Sequence, residues 1–214
     1  MGRRSLRKPD SSISLSRHFK TYDELPNPWR PEALFGRIAP LEIEVGSGKG
    51  LFLRGAAAAR TDADFLGIEI REKYAQFAAA GLAKRELNNG VVVHGDGLKL
   101  FAELLPDATI AAVHVYFPDP WWKKRHKKRR VFRESFMRDI QRVLATGGEL
   151  HFWTDVEEYF RTTLELLAQV TRLEGPFEVA PREAEHDMDY RTHFERRTRQ
   201  HGEAVHRARF VKTQ

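Results

Sequence analysis

Not one of the 214 residues is cysteine. That absence excludes disulfides, thiolate metal sites and thiol nucleophiles together. No run of 18 apolar residues occurs, so the sequence offers no membrane-spanning helix. His-Glu-x-x-His is missing although nine histidines are present. The opening Met1-Gly2-Arg3-Arg4-Ser5-Leu6 has paired arginines but no apolar stretch after them. Leu6 stands where acylation of Gly2 needs Ser or Thr, so a cytoplasmic chain is expected. Hydrophobic residues make up 41%, too many for a disordered chain, and the length favours one domain.

Positive charge is present but unevenly placed. Lys and Arg number 36 against 30 Asp and Glu, a formal charge of +6. Residues 123–130 read Lys-Lys-Arg-His-Lys-Lys-Arg-Arg, and without those seven cations the balance becomes −1. The basicity is therefore one patch, as phosphate-backbone binding requires, although charge runs often only solvate a surface.

Residues 1–35 are expected to form a flexible basic arm, with Pro26-Asn-Pro-Trp-Arg-Pro31 as an extended lead-in. Residues 36–214 are expected to form the domain. Alternating or β-branched runs predict strands at 41–45, 65–70, 91–93, 110–117 and 149–153, with two more near 177–180 and 204–211. Helical spacing marks 51–60, 71–87, 98–105, 131–145 and 156–170, with Gly147-Gly148 read as the stop of the fourth of these. Strands alternating with helices predict a mostly parallel seven-stranded α/β sheet with helices on both faces and ligands at the strands' carboxyl ends.

The first strand runs into Gly46-Ser47-Gly48-Lys49-Gly50. Gly46 and Gly48 permit a tight turn and close approach of a ligand to the backbone. The spacing fits neither a P-loop nor a dinucleotide fingerprint. Glu44, Glu69, Asp96, Asp119 and Asp155 stand at or near the ends of the first five strands. Each alone suits a helix cap or a turn. Together at one sheet edge they disfavour a pyrophosphate and suit a cationic sulfonium with an amino group. Glu69, 23 residues after Gly46, has the spacing of a ribose ligand.

The longest motif follows the fourth strand: Pro118-Asp119-Pro120-Trp121-Trp122-Lys123-Lys124-Arg125-His126-Lys127-Lys128-Arg129-Arg130. Two prolines stiffen the backbone around one aspartate, and a tryptophan sits beside a cationic run. This segment resembles the signature of the tRNA (guanine-N7-)-methyltransferase family. The resemblance extends from about residue 41 to the C-terminus through Glu44–Gly50, Gly67–Ile70, Gly95-Asp96, Thr154-Asp155 and Thr192-His193-Phe194-Glu195. It implies a Rossmann-like methyltransferase fold, S-adenosyl-L-methionine as cofactor, no metal, and tRNA as partner, with the variable-loop guanosine as target. It implies cofactor contacts from Glu44, Glu69, Asp96 and Asp119, the last also catalytic. Substrate contacts fall on Lys123, Asp155, Thr192, His193, Phe194 and Glu195. RNA contacts fall on Arg125, His126, Lys127, Lys128, Arg129 and Arg130. No obligatory protein partner is expected, and monomer and homodimer both remain open.

Guanine N7 carries an in-plane lone pair and no proton, so its methylation needs alignment and not a general base. Asp119 or Asp155 can accept from the N1–H and N2–H2 edge, and Lys123 can bind O6 or a phosphate. A related methyltransferase with another substrate and a non-catalytic RNA-binding module are the competing readings. The cationic run argues against a small molecule, and the five strand-end acids argue against a module without a cofactor pocket. Changing Arg125, Lys127, Lys128, Arg129 and Arg130 to Gln is expected to flatten the slope of log K against log salt for tRNA by about 2–3, since about three of them reach phosphates. Binding titrations at several salt concentrations measure this; an unchanged slope would mean that the run is merely solvated.

Overall fold

A computed structural model describes residues 6, 10, 12–121, 130–181 and 190–214. Its eight strands are β1 (Phe19–Thr21), β2 (Leu41–Val45), β3 (Asp64–Glu69), β4 (Gly90–His94), β5 (Ile110–Tyr116), β6 (Leu144–Thr154), β7 (Glu174–Phe177) and β8 (His206–Val211). They form one sheet in the order β1-β4-β3-β2-β5-β6-β8-β7. All pairs are parallel except β6–β8 and β7–β8. The helices are α1 (Glu32–Phe35), α2 (Leu51–Ala59), α3 (Glu72–Ala83), α4 (Gly97–Glu103), α5 (Glu134–Val143), α6 (Glu157–Val170) and α7 (His193–Gln200). No helix among the described residues is long and apolar enough to cross a membrane.

Period-two alternation divides the sheet's two faces. One face carries Ile43, Val45, Leu66, Ile68, Val113, Val115 and Phe152 against α4, α5 and α6. Its helices present apolar stripes, such as Phe136, Met137, Ile140 and Val143 on α5. The other face packs Phe65 and Val92 against α2 and the alanine-rich α3. Small residues there allow close approach: a Cβ on Gly50 would lie 2.7 Å from that of Ala78. On this second face β2, β5 and β6 also turn Glu42, Glu44, His114, Tyr116 and Trp153 inward, all buried.

The chain builds β2, β3 and β4 outward on one side and then crosses back to β5. The order therefore reverses between β2 and β5, and the crevice beyond their carboxyl ends is where such sheets bind ligands.

Three expectations change. The sheet has an eighth strand, because β1 pairs with β4 at the edge. Residues 18–35, assigned to an arm, are built into the domain: His18 is buried, and Leu25, Trp29 and Phe35 join the core. Proline-rich sequence excludes regular helix or central strand, but it does not prevent an extended segment from burying aromatic side chains. Finally, α5 ends at Val143, before Gly147-Gly148, because β6 begins at Leu144. The two glycines instead lie in an irregularity between Ile110↔Leu144 and Ala112↔Glu149. There a Cβ on Gly148 would approach the Ala145 carbonyl oxygen to 2.8 Å. Helix α7 was not among the expected helices.

Trp29→Ala is expected to lower unfolding free energy by about 3–5 kcal/mol, the range for emptying a buried aromatic site. Urea titration checks it. A loss below about 1 kcal/mol, the range of surface substitutions, would return this segment to the status of an arm.

Candidate active site

Five strand ends contribute to one edge. After β2 the glycine turn folds over β3: the Gly46 and Ser47 amides donate to the Ile68 carbonyl at 2.8 and 3.0 Å. Gly46 has φ +82° and Gly48 φ +54°, left-handed values that favour glycine. No atom lies within 4 Å of where a Gly46 Cβ would stand, so this backbone faces open space. Arg54 supports the turn from below by donating to the Lys49 carbonyl at 2.6 Å.

Glu69, at the end of β3, is held by two backbone amides. Gly48 donates to one carboxylate oxygen and Arg71 to the other, both at 2.9 Å. Each oxygen keeps a lone pair for a further donor. Ile70, the next residue, is 67% exposed, an apolar surface directly after the end of β3. Asp96 follows β4 and caps α4 by accepting from the Leu98 amide at 2.9 Å.

Glu44 differs from its neighbours. It is 3% exposed, and its Oε2 meets no hydrogen-bond partner. Burial, then the nearby Glu69 carboxylate, pushes its pKa up to about 8, with Arg54 pulling the other way. An unpaired buried carboxyl beside a second one is costly unless a cation is brought to it.

Beyond β5, Phe117 has φ +50° and Trp121 φ +42°, uncommon values for residues with side chains. Between them, Asp119 is exposed, and among the described residues no hydrogen bond engages its carboxylate. Arg130 closes the loop by donating from Nε to the Pro120 carbonyl at 2.8 Å, with its guanidinium over the Tyr159 ring. Asp155, beyond β6, is exposed. Lys123, Arg125, His126, Lys127, Lys128 and Arg129 lie outside the described residues.

The segment before and within α7 reaches the same edge. Phe194 stacks on Phe117 with ring centroids 6.0 Å apart. Thr192 caps α7 by accepting from the Glu195 amide at 2.9 Å. Glu195, expected at the substrate, is 2% exposed, and its oxygens already accept from the Arg191 amide and the Arg207 guanidinium. The structure thus gathers Glu44, Gly46, Gly48, Glu69, Asp96 and Asp119 around one crevice and gives Glu195 an internal set of partners.

Sequence reasoning did not single out Arg54, Ile70, His114 or Tyr116, and named Arg191 only with Arg196 and Arg197 as an alternative RNA surface. Ile70 carried a signal, an apolar residue directly after an acidic strand end. His114 and Tyr116 carried none, because Glu42 and Arg191, which they meet, lie 72 and 75 residues away.

A family model described as "Putative methyltransferase" matches residues 38–208. The chain is 47% identical to a tRNA (guanine-N(7)-)-methyltransferase of Rhodopirellula baltica, over 99% of this chain and 80% of that one. It is 37% identical to the protein of that name from Aromatoleum aromaticum, covering 94% and 79%. Among solved structures, the aminoglycoside resistance methyltransferase NpmB1 superposes with a TM-score of 0.54 at 21% identity, covering 85% of this chain and 91% of that one. A SAM-dependent O-methyltransferase from Thermotoga maritima gives 0.53 at 17% identity, covering 83% and 61%. At these identities the structures speak for the fold alone.

A raised carboxyl pKa means that between pH 4.5 and about 8 the folded chain keeps a proton the unfolded chain has lost. Glu44's contribution to stability is therefore complete below pH 4.5 and is lost as pH rises through about 8. Glu44→Gln is expected to raise the melting temperature of the ligand-free protein at pH 8.5 while changing little at pH 4.5. Melts at both pH values test this; equal effects at the two would show that Glu44 does not titrate in that window.

Proposed function

The chain belongs to the tRNA (guanine-N(7)-)-methyltransferase family, and from that premise we propose that it methylates N7 of a guanosine in tRNA, in the variable loop, using S-adenosyl-L-methionine. The observation that carries the reading is the crevice between β2 and β5. There an open glycine backbone, a buried carboxyl without a partner and the Asp119 turn meet.

The residues present fit this cofactor. Glu44 lacks a cationic neighbour in hydrogen-bond contact, and the cofactor has an ammonium and a sulfonium. Glu69 is oriented by the Gly48 and Arg71 amides with lone pairs left for ribose hydroxyls. Ile70 offers an exposed apolar face to a nucleobase, and Asp96 remains at the same edge. When bound, the cofactor supplies an electrophilic methyl group on positively charged sulfur.

The chain's own residues then have two tasks. The first is alignment, since N7 attacks with a lone pair already in the ring plane and gives up no proton. Pro118 and Pro120 restrict the backbone on both sides of Asp119, so its carboxylate can accept from the N1–H and N2–H2 edge and select guanine. The second is charge. The purine becomes cationic on methylation, and Asp119 and Asp155 are carboxylates at the adjacent strand ends. His193 and Phe194 approach from α7, while Thr192 and Glu195 shape the turn that presents them. Lys123 and the run through Arg130 are assigned to the tRNA. The reading uses residues of one chain and is compatible with a monomer or a homodimer.

Incubating the protein with unmodified tRNA and methyl-labelled cofactor, then digesting to nucleosides, tests the proposal. Labelled 7-methylguanosine is expected; label in another nucleoside would overturn it. Asp119→Asn is expected to cut kcat by about 10²–10³, the scale for losing one transition-state electrostatic contact. Melting temperature should be unchanged, and a near-native rate would remove Asp119 from the site.

A further inference from the structure

A chain of polar groups, buried at its centre and ending on an exposed arginine at each end, runs along the face shared by β2, β5 and β6. Arg191 donates from Nη1 to the Tyr116 hydroxyl at 3.1 Å. The Tyr116 hydroxyl lies 2.9 Å from His114 Nδ1, and His114 Nε2 lies 2.9 Å from Glu42 Oε2. Arg60 closes the far end on the other Glu42 oxygen. His114, Tyr116 and Glu42 are all buried.

Donor and acceptor chemistry orients the whole chain. A guanidinium only donates and an ionised carboxylate only accepts. The Tyr116 oxygen therefore accepts from Arg191, the neutral imidazole turns its single hydrogen to Glu42, and Tyr116 donates its own hydrogen to the bare His114 Nδ1. The imidazole then carries its proton on Nε2 and donates it to Glu42. Burial lowers the His114 pKa and keeps the ring neutral, while its hydrogen bond and Arg60 hold Glu42 ionised. Every hydrogen points toward one carboxylate, so no member can turn without leaving a buried group unpaired.

At its outer end the chain holds one residue, and that residue begins the substrate-side segment. Arg191 is fixed by its side chain on Tyr116 and by its amide on Glu195 Oε2 at 2.8 Å. Its guanidinium also lies 5.2 Å from the Trp153 ring centroid. Phe117, the residue just beyond β5, stacks on Phe194. Tyr116 and Phe117 thus grip two points of residues 191–194 at the same strand end that leads into Asp119.

We propose that Tyr116 is a positioning residue for tRNA: through Arg191, and backed by His114 and Glu42, it sets the segment 191–194 against the β5 strand end so that substrate meets a preformed surface. The inference rests on the function proposed above. Tyr116 itself touches neither cofactor nor the reacting atoms in this scheme.

The test compares the full-length wild type with Tyr116→Phe, Arg191→Gln and the double variant. Readouts are kcat, KM for a tRNA transcript, S-adenosylhomocysteine affinity by calorimetry, and melting temperature. Each single variant is expected to raise KM for tRNA about tenfold, the scale of one hydrogen bond to a charged group, with cofactor affinity unchanged. The double variant should be no worse than either single one, because both remove the same link. Arg191→Lys, which keeps one donor and the charge, should recover part of the loss. Additive effects in the double variant, or a native KM in Tyr116→Phe, would overturn the proposal. So would a parallel loss of cofactor affinity, which marks general damage to the strand end. If Tyr116→Phe does not fold, Arg191→Gln and Arg191→Lys carry the same test from an exposed position. Failure of the assigned reaction would show separately, as a wild type that makes no 7-methylguanosine.

Discussion

Burying two carboxylates side by side on a central strand is the constraint around which the second face of the sheet is organised. Glu42 and Glu44 both point away from the face lined by Ile43 and Val45, into a region of low dielectric where an ionised acid is costly. The chain treats them differently. Glu42 receives Arg60 and the His114 imidazole, which keep its pKa below the ordinary carboxylate value despite burial. Glu44 receives no hydrogen bond on Oε2 and has Glu69 nearby, so it holds a proton up to about pH 8. One acid is satisfied by the protein and anchors a fixed polar chain. The other has no hydrogen-bond partner on Oε2, which is the basis of its proposed role toward a cationic ligand.

The same division recurs along the strand ends. Glu69 and Asp96 spend part of their capacity on backbone amides, which fixes their direction without exhausting their lone pairs. Asp119 is instead fixed from the backbone, between two prolines and two residues of positive φ. Preorganisation is therefore achieved by hydrogen bonds where a strand ends in a tight turn, and by restricted torsions where a longer loop departs. Under the proposed function, both routes suit a reaction whose main requirement is alignment of a lone pair with a methyl group.

The N-terminal segment shows where local rules mislead. Composition made residues 1–35 look like an arm, yet Trp29 and Phe35 fill the core and Phe19–Thr21 extend the sheet. Nothing in Pro26–Pro31 signals this, since burying a tryptophan depends on segments brought together from elsewhere in the chain and not on neighbours in sequence. Gly147-Gly148 misled in the opposite direction. Glycine pairs often end helices, but here α5 had already ended; Gly148 avoids crowding against the Ala145 and Ile110 carbonyls, and Gly147 takes a φ of +81°.

By itself the sequence determined the alternation of strands and helices, the glycine turn after Val45, the acids at the strand ends and the stiff Pro118-Asp119-Pro120 turn before the cationic run. These features are local: periodicity, torsional freedom and charge are written in consecutive residues. Only the tertiary structure decided that Glu44 stays unpaired while Glu42 does not, that Glu195 is enclosed by Arg191 and Arg207, and that Tyr116 holds Arg191 from 75 residues away. Those outcomes depend on distance and burial between segments brought together by the sheet order, and electrostatic and hydrogen-bond energies depend on that geometry and not on sequence separation.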